Sequence, residues 1–143
     1  MKITQISIFL ENKEGRLAEV CSLMGQHKIN IRALTISENK EFGILRIVVD
    51  KPEEAVTILK ANNLVAQMTD IVAVEVDDAP GGLASILKLF SDHQLNVEYM
   101  YGFVEKRTDK ALMVFRFDDP DKAVATLEEK GLNILGKDDI ESL

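Results

Sequence analysis

The sequence has 143 residues, and its 24 acidic side chains outnumber 17 lysines and arginines for a formal charge of −7. That balance excludes a nucleic-acid surface, because phosphate binding needs clustered Lys and Arg and here the cations are scattered among acids. The lone Cys21 cannot form an internal disulfide and fits a reducing compartment. No paired cysteines suggest a metal site, and no hydrophobic run of spanning length or leading signal pattern points to a membrane or to export, so a cytoplasmic location is expected.

Residues Ile3 to Leu10 alternate, with Ile6, Ile8 and Leu10 on one face and Gln5, Ser7 and Phe9 on the other, which predicts a half-buried strand. The polar loop Glu11 to Glu14 breaks it. From Gly15 the apolar positions Leu17, Val20, Cys21 and Met24 recur at helical spacing until Gly25 to Lys28 close the helix. Cys21 is thereby placed toward the core, and nothing basic beside it would lower its pKa for reactivity. Ile29 to Ser37 and Phe42 to Asp50 read as a hairpin turning through Glu38 to Glu41. Pro52 then opens a second helix with Ala55, Val56 and Leu59 as its buried stripe, Asn62 and Asn63 end it, and Leu64 to Met68 is a last strand.

Thr69 and Asp70 alone separate this strand from the next, Ile71 to Val76, and the pattern then starts again. A helix runs from Gly82 to about His93 with Leu83, Ile86, Leu87 and Phe90 inward, followed by strands near Leu95 to Val104 and Ala111 to Phe117 and a helix opening at Pro120. At an offset of about 66 residues Gly15 falls on Gly81, Leu17 on Leu83, His27 on His93 and Asn30 on Asn96. Asp50 and Pro52 fall on Asp118 and Pro120 at an offset of about 68, which places two extra residues in the stretch Glu105 to Lys110. A fixed-frame repeat of this kind divides the chain into domains at 1–69 and 70–143. Each buries only a small core and is expected to need support from the other or from a second chain.

Twice βαββαβ implies an α+β fold of two ferredoxin-like units, each an antiparallel sheet with both helices on one face, because the crossovers are right-handed. The other face is expected to be open. It would carry Phe9, Leu34, Ile36 and Val48 beside Arg32 and Arg46 in the first unit, and Met100 and Val114 beside Glu75, Glu98 and Arg116 in the second. Apolar patches rimmed by charge meet partner surfaces, so a homodimer through this open sheet face is expected.

The motif carrying the repeat is N-K-E-G-R-L-A or A-P-G-G-L-A after a strand, a helix, then I-N-I or L-N-V, with D-x-P opening the second helix of each half. This resembles the ACT domain, present twice and covering nearly all of the chain. The resemblance implies amino-acid binding and metabolic regulation, without catalysis and without a cofactor. It places the ligand at the strand-to-helix loops: Asn12, Gly15, Arg16 and Leu17 in the first, Asp78, Pro80, Gly81, Gly82 and Leu83 in the second. The second loop is the closer match, since Lys13 and Glu14 stand in the first where Pro80 precedes the glycine in the second.

The physical reading of the same residues is parallel. Glycine lets a ligand approach the backbone, free N–H groups at a helix start take a carboxylate, and Asp78 or the amide oxygen of Asn12 takes an ammonium. Equally, the glycines shape the turn and the polar side chains cap the helix. Asn30 and Asn96, poor strand formers, either contact a ligand or bond the backbone in the helix-to-strand step. His27 and His93 read as structural groups at helix C-termini. Tyr99 and Tyr101 pack in the core or line a ligand side chain.

Three functions are compatible with these residues. The first is a non-enzymatic sensor of a free amino acid, the second a ligand-free interaction module acting on a metabolic enzyme. The third, remote, is an acylphosphatase-like hydrolase using Arg16 with Asn30, on fold analogy alone.

Overall fold

The computed structural model describes residues 1–106 and 108–143. Its elements in chain order are β1 (Ile3–Glu11), α1 (Arg16–Gln26), β2 (Ile31–Glu38), β3 (Phe42–Val49), α2 (Pro52–Ala61), β4 (Val65–Val76), α3 (Gly82–Asp92), β5 (Val97–Gly102), β6 (Ala111–Phe117), α4 (Pro120–Glu129), β7 (Ile134–Leu135) and α5 (Lys137–Glu141). They form two units, one built on Thr4–Thr69 and the other on Asp70–Glu141 with Met1–Ile3.

In the first unit the strand order is β2-β3-β1-β4. β1 and β3 pair antiparallel with Ile6 opposite Ile47 and Ile8 opposite Leu45, so the alternating apolar positions of both strands reach one face. There they meet Val20 and Met24 of α1 and Ala55, Val56 and Leu59 of α2 in a single core. The second unit repeats the arrangement as β5-β6-β4-β7. Its core gathers Val72, Val74, Ile86, Phe115, Phe117 and Leu127 around Phe90. The ring of Phe90 meets Phe115 and Phe117 edge-on at centroid distances of 5.1 and 5.0 Å, the geometry that the aromatic quadrupole favours.

The D-x-P motif has a structural cause. Asp50 Oδ1 accepts the Asn30 N–H at 2.9 Å and Asp118 Oδ1 accepts that of Asn96 at 3.4 Å. In return the Asn30 and Asn96 carbonyls accept the Asp50 and Asp118 N–H groups. Each aspartate thus joins the start of one hairpin strand to the end of the other, and the proline two residues on opens the helix without a wasted donor.

Several expectations are corrected. Thr69 and Asp70 do not divide two strands: β4 runs unbroken through them, because neither residue breaks an extended backbone. The stretch Leu95 to Val104 shortens to Val97–Gly102, and within Glu105 to Lys110 the residue Arg107 lies outside the described residues. Leu34 and Ile36 stand opposite Ile47 and Leu45, and Met100 opposite Phe115, so all three belong to the helix-bearing face and not to the open one. Val48 and Val114 do lie on the opposite face, yet both are fully buried. Leu17 and Leu83, assigned to inward helical stripes, are 41% and 39% exposed.

Candidate functional site

The two strand-to-helix loops are alike in backbone and unlike in side chains. Gly15 and Gly81 hold φ of 86° and 84° at the helix N-cap, with no side-chain cap on either helix. By contrast α4 is capped, Asp119 Oδ1 accepting the Lys122 N–H at 3.1 Å. The N–H groups of Arg16 and Gly82, first in α1 and α3, donate to the Lys13 and Ala79 carbonyls at 3.4 and 2.9 Å, and the N–H groups that follow lack the usual side-chain acceptor. Nothing stands within 4 Å of where a β-carbon would sit on Gly15 or Gly81, so both glycines are required by backbone conformation, and the space over them is open. Leu17 and Leu83, just inside the helices, add an exposed apolar side chain at the same place in each unit.

Each loop is fastened to the tip of its own hairpin, by different chemistry. In the first unit the Asn12 N–H donates to the Glu41 carbonyl at 2.8 Å and Asn12 Nδ2 to the Asn39 carbonyl at 2.9 Å. In the second, Lys106 pairs with Asp78 and Lys110 with Asp77 at 3.4 Å. Asp78, expected to take a ligand's ammonium, is thus already matched by an ammonium of the chain. Lys106 and Lys110 escaped the sequence reading because pairing across a hairpin leaves no spacing signal.

Behind each loop lies a groove at corresponding positions of the repeat. In the first unit it has a volume of about 320 Å³ and is lined by Phe9, Leu10, Glu11, Arg16, Glu19, Asn62, Asn63, Leu64 and Val65. In the second it has about 210 Å³, with Glu75, Val76, Asp77, Gly82, Ser85, Ile86, Leu89, Lys110 and Leu132. Arg16 and Glu19 of the first groove become Gly82 and Ser85 in the second. Arg16 pairs with Glu19 at 3.0 Å and lies 4.0 Å from Glu11. Lys13 foremost, through a hydrogen bond, and then Arg16 hold the Glu11 carboxyl below its ordinary range. The Arg16–Glu19 pair follows the i,i+3 rule and could have been read from the sequence. On the outer side of the second loop a further hollow of about 390 Å³ is lined by Val76, Asp77, Asp78, Ala79, Pro80, Leu83, Ala111 and Met113.

The remaining candidates lie apart from the loops. Asn30 and Asn96 follow the C-termini of α1 and α3, and they act there through their backbone groups rather than their side chains. The left-handed turn in that step is made by Lys28 and Gln94, both at φ 57°, which corrects the assignment of that turn chemistry to the asparagines. Arg16 and Asn30 consequently flank α1 at opposite ends, about 15 Å of helix apart, and the acylphosphatase-like pairing is not made. His27 and His93 place Nδ1 at 3.0 and 2.9 Å from the Leu23 and Leu89 carbonyls, which closes the helix ends as expected. Tyr99 and Tyr101 stand opposite Arg116 and Val114 on the face away from the helices, Tyr101 buried and Tyr99 half-buried. Among the described residues no group of three or more His, Cys, Asp or Glu side chains could hold a metal ion, and no helix is long and apolar enough to cross a membrane.

Comparison with known proteins accounts for this doubled geometry. The family described as an ACT domain pair matches residues 1–143. Among solved structures, protein BT0572 from Bacteroides thetaiotaomicron is 40% identical with a TM-score of 0.93, covering 100% of this chain and 98% of that one. The ligand-free regulatory subunit of aspartate kinase from Thermus thermophilus shares the fold at 16% identity and a TM-score of 0.65, with 90% of each chain covered. The corresponding subunit from Thermus flavus does so at 12% identity and 0.59, covering 88% of this chain and 90% of that one. No curated protein matches the sequence. The chain belongs to the family of ACT domain pairs.

Proposed function

We propose that this ACT domain pair is a non-enzymatic regulatory protein that binds a free α-amino acid at its strand-to-helix loops and transmits occupancy to a metabolic enzyme. It does so as a cytoplasmic homodimer. The observation that carries the reading is the matched pair of uncapped helix starts, each behind a left-handed glycine with open space above it. A carboxylate docked there would take the N–H groups of Leu17 and Ala18 or of Leu83 and Ala84, those of Arg16 and Gly82 being bonded within their loops, and would lie at the positive end of the helix dipole. The exposed Leu17 or Leu83 would lie beside the ligand's side chain.

The second loop, Asp78 to Leu83, is the one we assign to the ligand. Its Asp78 offers a full negative charge for the ammonium in exchange for Lys106, whereas Asn12 in the first loop offers only a neutral amide oxygen. The regulatory subunits of aspartate kinase, which share the fold, support a regulatory role. They do not identify the ligand.

Calorimetry across the standard amino acids tests the proposal. One of them should bind more tightly than millimolar, about 4 kcal/mol, and Gly81→Val should abolish binding while Gly15→Val leaves it. The reverse pattern would move the site to the first loop. If none binds, the reading gives way to that of a ligand-free interaction module.

A further inference from the structure

The hollow on the outer side of the second loop differs in chemistry from the grooves behind the two loops. Ala111 and Met113 of β6, which stand opposite Val76 and Val74, line it together with Ala79 and Pro80 of the loop and Leu83 of α3. Its polar side chains are two carboxylates, Asp77 and Asp78, and among the described residues no lysine, arginine, hydroxyl or carboxamide side chain lines it. Its volume of about 390 Å³ lies at the low end of the range for small-ligand sites, roughly 300–1,000 Å³, which are likewise apolar with a few placed polar groups. At the repeat offset Ala79 and Pro80 fall on Lys13 and Glu14 of the first loop. Gly15 and Gly81 hold almost the same φ, 86° and 84°, so the two loops turn alike and differ in the side chains that they offer a ligand.

We infer that this hollow receives the side chain of the bound amino acid and restricts the ligand to the apolar α-amino acids. Leu83 and Asp78 connect it to the loop site: their backbone N–H and carboxylate are the groups assigned to the ligand's carboxylate and ammonium, and both residues also line the hollow. An amino acid held by those two groups therefore has the hollow beside its Cα substituent. An aliphatic or thioether side chain there would shield Leu83 and Met113 from water and bring no polar group that needs a partner. A hydroxyl or carboxamide would leave water for a surface with no matching side-chain donor. An acidic side chain would be set beside Asp77 and Asp78, with like charges opposed at short range. A lysine side chain would have to displace Lys110 from Asp77 as well as Lys106 from Asp78, exchanging one ammonium for another without gain.

The inference rests on the loop site of the proposed function, and glycine separates the two, because it carries the same carboxylate and ammonium with no side chain. Calorimetry on the full chain compares leucine, methionine, glycine, serine, aspartate and lysine. Leucine and methionine should bind at least about tenfold more tightly than glycine, since one methylene in an apolar pocket is worth about tenfold or more, and the other three should not exceed glycine. With the methionine methyl groups isotopically labelled, the Met113 resonance, identified through Met113→Leu, should move on saturation with leucine and stay in place with glycine. Ala79→Lys with Pro80→Glu, the pair that the first loop carries, should weaken leucine at least about tenfold and close its margin over glycine, with circular dichroism confirming the fold. If amino acids bind and Gly81→Val abolishes binding, but glycine, serine, aspartate or lysine is held as tightly as leucine or the Met113 resonance does not move, the hollow is not the side-chain pocket and the loop site stands. If no amino acid binds, both readings fall.

Discussion

The Cα of Gly82 lies so near the Asp77 carbonyl that a β-carbon would stand 2.1 Å from its oxygen. The tolerance of the loop Asp78-Ala79-Pro80-Gly81-Gly82 is therefore the reverse of what backbone angles suggest. Gly81→Ala meets open space and costs only the left-handed backbone, about 1 kcal/mol. Gly82→Ala collides with main chain that cannot move aside cheaply, and we expect a loss of about 1–3 kcal/mol. Urea denaturation of the two variants should show Gly82→Ala as the less stable, and equal midpoints would contradict the close approach.

Lys106 occupies the anion that the proposed ligand needs. Removing its charge in Lys106→Gln should strengthen amino-acid binding at the second loop, because Asp78 no longer has to exchange one ammonium for another. Exposed ion pairs contribute at most about 1 kcal/mol, so the gain is limited to roughly fivefold. Calorimetry would show it as a lower dissociation constant. A weakened complex would mean that Lys106 itself holds the ligand.

Asp50→Ala removes the acceptor that joins the start of β2 to the end of β3. We expect a stability loss of about 1 kcal/mol and faster hydrogen exchange at the Asn30 amide. Asp118→Ala should have a smaller effect at Asn96, where the bond is longer at 3.4 Å. Amide exchange of both variants, followed residue by residue, checks the order.

Lys2 and Asp121 form an ion pair at 2.8 Å. The Lys2 ammonium, first through its hydrogen bond and then through its charge, holds the Asp121 carboxyl below the ordinary range, and Asp121 in turn raises the Lys2 pKa. A carboxylate whose pKa falls on folding contributes stability that is complete above its unfolded pKa, about 3.9, and is lost as pH falls through the folded value. For Lys2 the contribution is complete below about 10.4 and lost as pH rises through the folded value. Asp121→Asn should therefore lower the urea midpoint near neutral pH and match the parent in acid. A difference that persists at pH 2 would show that the side chain matters for something other than charge.

The repeat, the order of elements and the helix starts at Pro52 and Pro120 were legible because each has a local cause: a period, an alternation or a residue with a fixed φ. What the sequence hid was lateral. Phe42 to Val49 is almost wholly apolar, so alternation could not say that Leu45 and Ile47 face the helices while Val48 faces away, and Leu34 and Ile36 were misassigned with it. The continuity of β4 was hidden because a polar pair such as Thr69 and Asp70 is compatible with either a turn or a strand. Helix α5 went unseen, since Lys137–Glu141 buries only Ile140 and leaves no periodic stripe. At the loops, glycine identity was readable from the repeat. The steric demand on Gly82 arises where the loop turns back on its own Asp77 carbonyl, and the partners of Asp77 and Asp78 come from the hairpin.

The two loops are fastened to their hairpins by different forces, and ionic strength distinguishes them. Neutral amide bonds hold the first, and added salt does little to them. Lysine–aspartate pairs hold the second, and at about 0.1 M salt exposed charges are screened beyond roughly 10 Å and weakened at contact. Two copies of one fold are thus tuned to different solvent variables: the second loop's grip on its hairpin should slacken as salt rises, and the first loop's should not.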